Sequence, residues 1–369
     1  MHKLKGMNKY KSLFILRFAK LMQENVTVWK EVQRICRKKL YTADLKWYFF
    51  AFCFGFLPGK NERHYSLKAH IIEAIICAII SIFIAVSIRN KEYQNIVKKT
   101  FFQKLISVFG DEIFYCNSDD SFLLSIVDEN DDLTPEMKKE LKDAGIFKNK
   151  QIPKIIEYKL FNESGLFDKP INDRDDDDSF YGSFNDVEFI INETSLKYKV
   201  ASKSRTNYYE KFKGLAMLFK MNKNINARVL VRSKKKNWLF IPINKLFKNK
   251  VPDGYEKIEF ESEEFNKKYD VYAYKTPDHS GQIEARYLFN TAFLERFMQI
   301  QTSFRVDRMD CSVKDNNLLI MLNTNRDLFE MNHLLGRVDD VNQYKNLFDE
   351  FSSVLAFIDV LNLSSRTKL

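Results

Sequence analysis

The sequence predicts an α+β protein in which an N-terminal membrane helical hairpin precedes a cytoplasmic antiparallel α+β domain. Three observations lead to this prediction: an apolar segment, a strong positive charge ahead of it, and a series of short alternating strands after residue 184. The predicted divisions are a basic amphipathic cytoplasmic segment (1–46), the membrane hairpin (47–88), a helical connector (89–152) and the cytoplasmic α+β domain (153–369).

The positive charge is concentrated in the first segment. The chain of 369 residues has a net charge of +10. Residues 1–46 hold twelve Lys or Arg and three Asp or Glu, a net +9 that leaves the remainder near neutrality. Because these cations stand directly before the apolar region, they predict a cytoplasmic N-terminus, and we expect no nucleic-acid partner. The five Cys are widely spaced without a C-x-x-C pair, which is typical of a reducing compartment.

An amphipathic helix is predicted within residues 1–46. Its apolar residues recur at helical spacing: Phe14, Phe18, Met22, Val26 and Trp29. An apolar stripe among cations suits an anionic leaflet, so anionic lipid is an expected partner of this segment. A solvated helix that packs on the rest of the protein would have the same spacing, and both interpretations stay open.

Residues 69–88 form the predicted second span of the hairpin. About 20 predominantly apolar residues cross a hydrocarbon core of about 30 Å, and this segment is apolar on nearly every side of the helix. Its one full charge, Glu73, lies about 6 Å from the start of the segment. Its carboxylate is therefore expected at the membrane interface. The alternative is a buried helix in a large soluble core.

The first span is predicted within 47–58, where Trp47 and Tyr48 suit the membrane interface. This stretch is short, so it either crosses with residues 40–46 drawn into the span or enters and leaves on one side. Basic residues flank both ends of the hairpin, which favours two crossings with both ends inside. The predicted location is the inner membrane, with the bulk of the chain cytoplasmic.

The connector and the start of the domain are predicted to contain helices and one acidic loop. The acidic run "NDRDDDD" at 172–178 lacks the Gly and Glu that an EF-hand needs at its sixth and twelfth positions. We therefore predict a solvated loop there.

Short strands and two helices are predicted in the rest of the domain. The predicted strands are "DVEFIINETSLKYKV", "GLAMLFKMN", "ARVLVRS", "KIEFES" and "KKYDVYAY". In the second of them, Leu215, Met217, Phe219 and Met221 mark one buried face. Helices are predicted at 283–304 and 338–363 from apolar stripes at helical spacing. Between them, "RMDCSVKDNNLLIML" predicts a hairpin with "KDNN" as its turn.

The sequence contains none of the common catalytic motifs. It has no phosphate-binding Gly loop, no H-E-x-x-H and no G-x-S-x-G, and its five His are scattered. No cofactor or metal is expected. This favours a non-enzymatic binding or scaffolding protein; the alternative is a membrane-tethered enzyme of unrecognised type. A deep pocket with at least two convergent titratable groups would favour the enzyme.

Several short sequence motifs follow one another in an order that resembles that of a known family. The main phrase reads Glu284-Ala285-Arg286-Tyr287-Leu288 and continues through Thr291 to Glu295-Arg296. Before it stand three Asp at 176–178, Gly182, Glu188 and Phe212-Lys213-Gly214-Leu215. Over about 153–331 the chain is similar to an uncharacterised bacterial membrane-protein family, domain of unknown function 3137.

The resemblance implies two membrane helices ahead of the domain and no known activity, ligand or catalytic residue. This chain has Ala292 where the family often has Pro, so an unbroken helix from Ile283 is expected. We expect the family-motif residues to be structural, with Glu284 accepting backbone N–H groups in the first turn of that helix. Arg286 would anchor this turn to a neighbouring strand or to Asp270.

These observations predict a membrane-anchored protein whose cytoplasmic domain binds a partner. The lipid bilayer is one expected partner, and an unidentified cytoplasmic protein is the other.

Overall fold

Short, alternating strands dominate the second half of the chain in the computed structural model, which describes residues 5–43, 50, 67–116, 154–201, 205–221, 225–234, 251–330 and 333–366. The strands are β1 (Ile113–Cys116), β2 (Asp173–Phe184), β3 (Val187–Ala201), β4 (Thr206–Lys220), β5 (Val229–Ser233), β6 (Tyr255–Ile258), β7 (Tyr269–Tyr274), β8 (Arg308–Lys314) and β9 (Asn317–Asn323). The α-helices are α1 (Lys5–Ala43), α2 (Leu67–Val97), α3 (Gln103–Ile106), α4 (Tyr158–Glu163), α5 (Glu263–Lys268), α6 (Ser280–Leu288), α7 (Thr291–Ser303) and α8 (Lys345–Arg366). A π-helical turn (Lys98–Phe102) and a 3₁₀ turn (Val341–Tyr344) complete the described helical elements.

Within the described residues, the nine strands form one antiparallel sheet in the order β1-β2-β3-β4-β9-β8-β5-β7-β6. The predicted α+β class is therefore confirmed. The predicted β-hairpin with the turn "KDNN" is also confirmed, because β8 and β9 pair from Arg308↔Asn323 to Lys314↔Asn317. Asp315 and Asn316 close it with positive φ angles of 50° and 62°, a conformation that these two residue types tolerate well.

Both faces of the sheet are covered, although the sequence marked one buried face. Leu215, Met217 and Phe219 of β4 are buried as predicted, and Phe219 contacts Phe357 of α8 at 5.4 Å between ring centroids. Their neighbours on the opposite face are buried as well, in a cluster with α4 and the residues that flank it. The cluster contains Ile156, Phe161, Ile171, Leu196, Phe212, Ala216, Leu218, Leu319 and Met321. The centre of the sheet is therefore buried on both sides.

The acidic run at 172–178 is a strand, so the prediction of a solvated loop is wrong. β2 begins at Asp173 and pairs with β3 over its length, with an irregularity between Asp176 and Ser179. Strand formation here is decided by pairing with a neighbour rather than by the low strand propensity of Asp. Arg174 makes this pairing tolerable, because its guanidinium lies 2.6 Å from the Asp176 carboxylate and both side chains are nearly fully buried.

The predicted unbroken helix from Ile283 is also wrong. The chain forms two helices, α6 and α7, that are separated by Phe289 and Asn290. Asn290 has an extended backbone, and its side chain accepts a hydrogen bond from the Phe293 N–H at 3.0 Å. This N-cap starts α7 without the help of a Pro. The apolar stripe predicted along this segment is buried, from Ala285 to Phe304.

The chain divides into two compact units. Unit 1 comprises Met1–Lys11, Phe109–Phe329 and Phe348–Leu369, and it contains the sheet. Unit 2 comprises Ser12–Val108 and Glu330–Leu347. The predicted domain boundaries differ from these divisions and stay a prediction.

In unit 2 the apolar stripe of α1 packs inside the protein. Phe14, Phe18, Met22 and Trp29 are buried, and Val26 is half-buried. The Phe18 ring lies 4.8 Å from that of Tyr344, and the Trp29 ring lies 4.8 Å from that of Phe101. The sequence left two interpretations of this stripe open, contact with an anionic leaflet or packing on the rest of the protein. The structure shows the stripe packed on the protein.

Helix α2 is the one helix in the described part of the chain that is long and apolar enough to cross a membrane. Its candidate span is Ile71–Val97; the most apolar 18-residue window has a mean hydropathy of 2.8, and 6% of that window is buried. Ile79 is 61% exposed and Phe83 is 72% exposed. Glu73 lies on this helix and is exposed. The first predicted span, with Trp47 and Tyr48, lies outside the described residues.

Gly214 is required where β4 approaches β9. Its φ is +142°, and a Cβ built there would lie 2.1 Å from the Leu322 carbonyl oxygen and 2.8 Å from the Thr324 nitrogen. Since both neighbours are backbone atoms, Gly214→Ala should destabilise the protein by more than about 2 kcal/mol. Chemical denaturation of the purified chain, followed by circular dichroism, measures this change.

Gly110→Ala is the matched control. Its added Cβ would meet the end of the Ile113 side chain at 3.2 Å, which a small rotation relieves. We expect a change within about 1 kcal/mol for this variant. Equal destabilisation by the two substitutions would contradict the assignment of Gly214 to a backbone contact.

Candidate functional site

A cleft of about 500 Å³ opens in unit 1 beside β2, β3 and β4, where the segment after β9 crosses them. Six of its lining residues are acidic: Asp175, Asp176, Asp177, Glu193, Glu210 and Asp327. Three are basic: Lys197, Lys213 and Arg326. We call this feature the acidic cleft.

The strand pairing at Gly214 builds the wall of the acidic cleft. Gly214 pairs with Asn323 at the last residue of β9, and the Thr324 N–H then donates to the Lys213 carbonyl at 3.0 Å. Past this point the chain passes over β3, and the Leu328 N–H donates to Oε1 of Glu193 at 3.1 Å. Two hydrogen bonds, one to a backbone carbonyl and one to the Glu193 side chain, therefore hold the segment that carries Arg326 and Asp327 against the strands.

Two of the six acidic groups are paired with cations. Asp176 pairs with Arg174, and Asp175 pairs with Lys197. Asp177 and Asp327 are exposed and form no ion pair within the described residues. The cleft consequently retains negative charge at its mouth. Its main cation from the segment after β9, Arg326, lies 3.8 Å from Glu350, a buried residue of α8.

Glu193 is the unusual group of the cleft. Its Oε2 atom is buried and has no hydrogen-bond partner among the described residues. Burial raises the pKa of Glu193 to about 9, and the neighbouring carboxylates of Asp178, Asp327 and Asp177 act in the same direction, while the Leu328 N–H opposes them. Glu193 is therefore a neutral carboxylic acid at neutral pH.

Beneath the cleft, a second buried carboxyl group is held by hydrogen bonding. The Tyr115 hydroxyl donates to Oδ1 of Asp178 at 2.6 Å, and both side chains are buried. Burial, followed by the influence of Asp178, raises the pKa of Tyr115 well above its usual range. The Tyr115 hydroxyl thus stays protonated and remains a donor.

No group of three or more His, Cys, Asp or Glu in the described residues is arranged to hold a metal ion. The acidic cleft therefore presents carboxyl groups as separate charges and one neutral acid. Such an arrangement suits a cationic organic group or a basic peptide, whose charge is spread over several donors.

The residues of the resemblance motif lie in two separate parts of unit 1. Oε2 of Glu284 accepts from the Asn226 N–H at 2.9 Å and from the Ala227 N–H at 2.7 Å. Glu284 therefore satisfies backbone donors just ahead of β5. The sequence predicted a different set of donors, the backbone N–H groups in the first turn of the helix that contains Glu284. Arg286 donates to the Glu259 carbonyl at 2.8 Å and lies over the Phe260 ring.

Of the other motif residues, Asp176, Asp177, Lys213 and Gly214 line the cleft, and the rest lie apart from it. Tyr287 and Glu295 are exposed, and Arg296 donates to the Gln299 side chain at 2.7 Å on the outer surface of α7. A Cβ at Gly182 would lie 1.9 Å from the Glu112 carbonyl oxygen, which explains a Gly where β2 meets β1. Their functional roles stay a prediction.

Sequence reasoning missed the cleft and Glu193. The alternation of apolar and polar residues predicts that Glu193 lies in a strand. It does not indicate that the segment after β9 covers this residue. The resemblance motif includes the Asp residues at 176–177. However, the predicted solvated loop at 172–178 does not place them beside β3, where the structure has them.

Residues 210–363 match a family model described as "Protein of unknown function (DUF3137)". This part of the chain is similar to that family, and we call it the DUF3137 region. The predicted resemblance is thus confirmed, with an extent that begins at β4 and includes α8. Neither the curated proteins nor the solved structures yield a match. The DUF3137 region contains one side of the acidic cleft, including Gly214 and Asp327, whereas β2 and Glu193 precede it.

Glu193→Gln should raise stability at alkaline pH. Unfolding releases Glu193 from a raised pKa to its ordinary one, so its contribution to stability is complete at low pH and is lost as pH rises from about 4.5 to about 9. Gln keeps the acceptor for Leu328 and does not ionise in the unfolded state. We expect a gain of about 5 kcal/mol at pH 8, from some 3.5 pH units above the ordinary pKa at about 1.4 kcal/mol each, and no gain near pH 4.

Thermal unfolding of the variant and parent at a series of pH values measures this difference. Burial also raises the pKa of Glu350 to about 7, and its contribution cancels when the two proteins are compared at each pH. Glu210→Gln, at an exposed position in the same cleft, is the control. A pH-independent effect of Glu193→Gln would contradict the neutral-acid assignment.

Proposed function

We propose that this protein is a membrane-anchored, non-enzymatic binding module, and that α2 is its anchor. The observation that carries the proposal is the exposed apolar surface of α2, of which 6% is buried over its most apolar window. A helix that is apolar on all sides and unburied in its own protein needs another apolar medium around it. A hydrocarbon bilayer supplies that medium.

The hairpin topology extends this proposal. The first crossing falls within 47–58, with Trp47 and Tyr48 at one interface and Glu73 near an end of the second crossing. The charge distribution favours an inner-membrane location with the bulk of the chain in the cytoplasm. Since the apolar stripe of α1 is buried in unit 2, contact of 1–46 with anionic lipid would involve its outward-facing cations.

We propose the acidic cleft as the surface that binds a cytoplasmic protein partner. Asp177 and Asp327 supply unneutralised negative charge at its mouth, so a basic segment of the partner fits the site. The neutral Glu193 adds a hydrogen-bond donor below them.

An enzyme is the second candidate, and one observation favours it. Glu193 is a neutral acid in a cleft with other titratable groups, as expected of a proton donor. The binding function is preferred because burial and neighbouring carboxylates account for the neutral acid without catalysis.

Charges placed in the centre of α2 should release the protein from membranes. Each Arg at a helix centre costs about 2.5–3.5 kcal/mol on insertion. Ile79→Arg with Phe83→Arg should therefore move the full chain from the pellet to the supernatant after alkaline carbonate extraction. Ile283→Arg is the control, since Ile283 is 67% exposed on α6 in unit 1. Recovery of the parent chain in the supernatant would overturn the anchor.

Removing the charge at the cleft mouth should release the partner. We expect Asp177→Asn with Asp327→Asn to reduce recovery of crosslinked partner from membranes about tenfold, as for the loss of one or two steering charges. Asp253→Asn with Glu261→Gln, two exposed acids elsewhere in unit 1, should leave recovery unchanged. Glu193→Gln should also retain the partner, because Gln is neutral like the protonated acid. Loss of cellular function in Glu193→Gln with full partner recovery would favour the enzyme.

A further inference from the structure

Arg326 connects the acidic cleft to a buried acid of α8. It stands between residues 324 and 328, whose backbone N–H groups hold the segment after β9 against the strands. The Arg326 N–H donates to Oγ1 of Thr324 at 3.0 Å, and its guanidinium donates to the Phe304 carbonyl at the end of α7. Arg326 thus lines the cleft while its guanidinium is held beside the C-terminus of a helix.

Glu350 is the acid that this guanidinium meets. Nη2 of Arg326 lies 3.8 Å from Oε1 of Glu350. The Glu350 side chain is 7% exposed, whereas that of Arg326 is 42% exposed. Both residues belong to unit 1. A separation of this length is too long for a hydrogen bond, so charge is what links the two groups.

Glu350 changes its charge near neutral pH. Burial raises the pKa of Glu350 to about 7 against the opposing charges of Arg326, on the segment after β9, and Arg305, which follows α7. Asp349, its neighbour on α8, adds to the rise. Glu350 is therefore mainly protonated at pH 6 and mainly a carboxylate at pH 8, whereas Glu193 is mainly neutral at both.

The charge of Glu350 decides how much positive charge Arg326 brings to the cleft. At pH 8 the Glu350 carboxylate compensates the guanidinium, so the acids at the mouth, Asp177 and Asp327, attract a basic segment without opposition from Arg326. At pH 6 protonated Glu350 leaves the guanidinium uncompensated, and its charge repels the same segment. One proton thus changes the net charge beside the cleft by one unit.

We propose that Glu350 and Arg326 form a pH-sensitive switch on the acidic cleft, which binds its basic ligand more tightly when Glu350 is ionised. This inference rests on the proposed function of the cleft and describes how that function is regulated. By reciprocity, a basic segment in the cleft favours the ionised acid, so binding near pH 7 releases a fraction of a proton. The affinity should rise about fivefold from pH 6 to pH 8, at the lower end of the range for coupled sites.

Isothermal titration calorimetry of the purified full chain with a synthetic peptide of alternating Lys and Gly tests the switch. This probe contains no His, and its Lys side chains keep their charge from pH 6 to pH 8. The parent chain should bind it about fivefold more tightly at pH 8 than at pH 6. A peptide of alternating Gln and Gly is the uncharged control. Titrations at pH 7 in buffers of different ionisation enthalpy measure the proton that is released.

Two substitutions should hold the switch in opposite states. Glu350→Gln resembles the protonated acid in shape and leaves Arg326 uncompensated, so it should bind the peptide at both pH values with the parent's pH 6 affinity. Arg326→Gln removes the repelling cation, and it also removes a charge that favours ionisation of Glu350. This variant should bind at both pH values at least as tightly as the parent at pH 8. A purely structural role would weaken binding in both variants.

Glu263→Gln and Lys267→Gln are the matched controls. These residues form an exposed ion pair on α5 at 3.1 Å, so each substitution removes the same charge as its counterpart in the switch. Both controls should keep the pH dependence of the parent. Circular dichroism at each pH reports whether every variant is folded.

The outcomes separate the switch from the proposed function. Peptide binding that is absent, or that is unchanged by Asp177→Asn with Asp327→Asn, overturns the proposed function of the cleft and the switch together. Binding that depends on these two acids but is equal at pH 6 and pH 8 overturns the switch alone. A pH dependence that persists in Glu350→Gln, or in Arg326→Gln if the first variant does not fold, assigns the proton to another group and also overturns the switch.

Discussion

The close backbone contact between β4 and β9 at Gly214 is the constraint on which the rest of unit 1 depends. It places the β8–β9 hairpin in the middle of the sheet, next to a strand that lies about a hundred residues earlier in the chain. It also ends the pairing of β4 with β9 at a defined residue. The following segment crosses β3 to form the acidic cleft, and the first half of β4 pairs with β3 alone among the described strands.

Charge in unit 1 is distributed by the pairing of β2 and β3. Asp175 and Asp176 are adjacent in sequence, yet alternation along the strand sends them to different cations, Lys197 and Arg174. Asp178 is turned inward to the Tyr115 hydroxyl. A run of similar residues thus becomes a set of separate environments. The charge that is left over faces the cleft, where it adds to the burial that raises the pKa of Glu193.

The predictions from sequence succeeded where one local pattern was sufficient. "KDNN" between alternating apolar residues is a local signal, and the hairpin closes at Asp315 and Asn316. The alternation in β4 likewise marked its buried residues. The predictions failed at β2, which is a strand because β3 and Arg174 accompany it, and at Asn290, where a cap separates two helices that share one apolar stripe.

The sequence by itself determined the α+β class, the β8–β9 turn and an apolar helix of membrane-spanning length, because each depends on the spacing of neighbouring side chains. The tertiary structure alone decided the acidic cleft, the state of Glu193 and the length over which β3 and β4 pair beyond β2 and β9. Each of these depends on where strands stop pairing and on which distant group covers a residue. That information is carried by contacts between positions far apart in the chain, which the local alternation of residues does not encode.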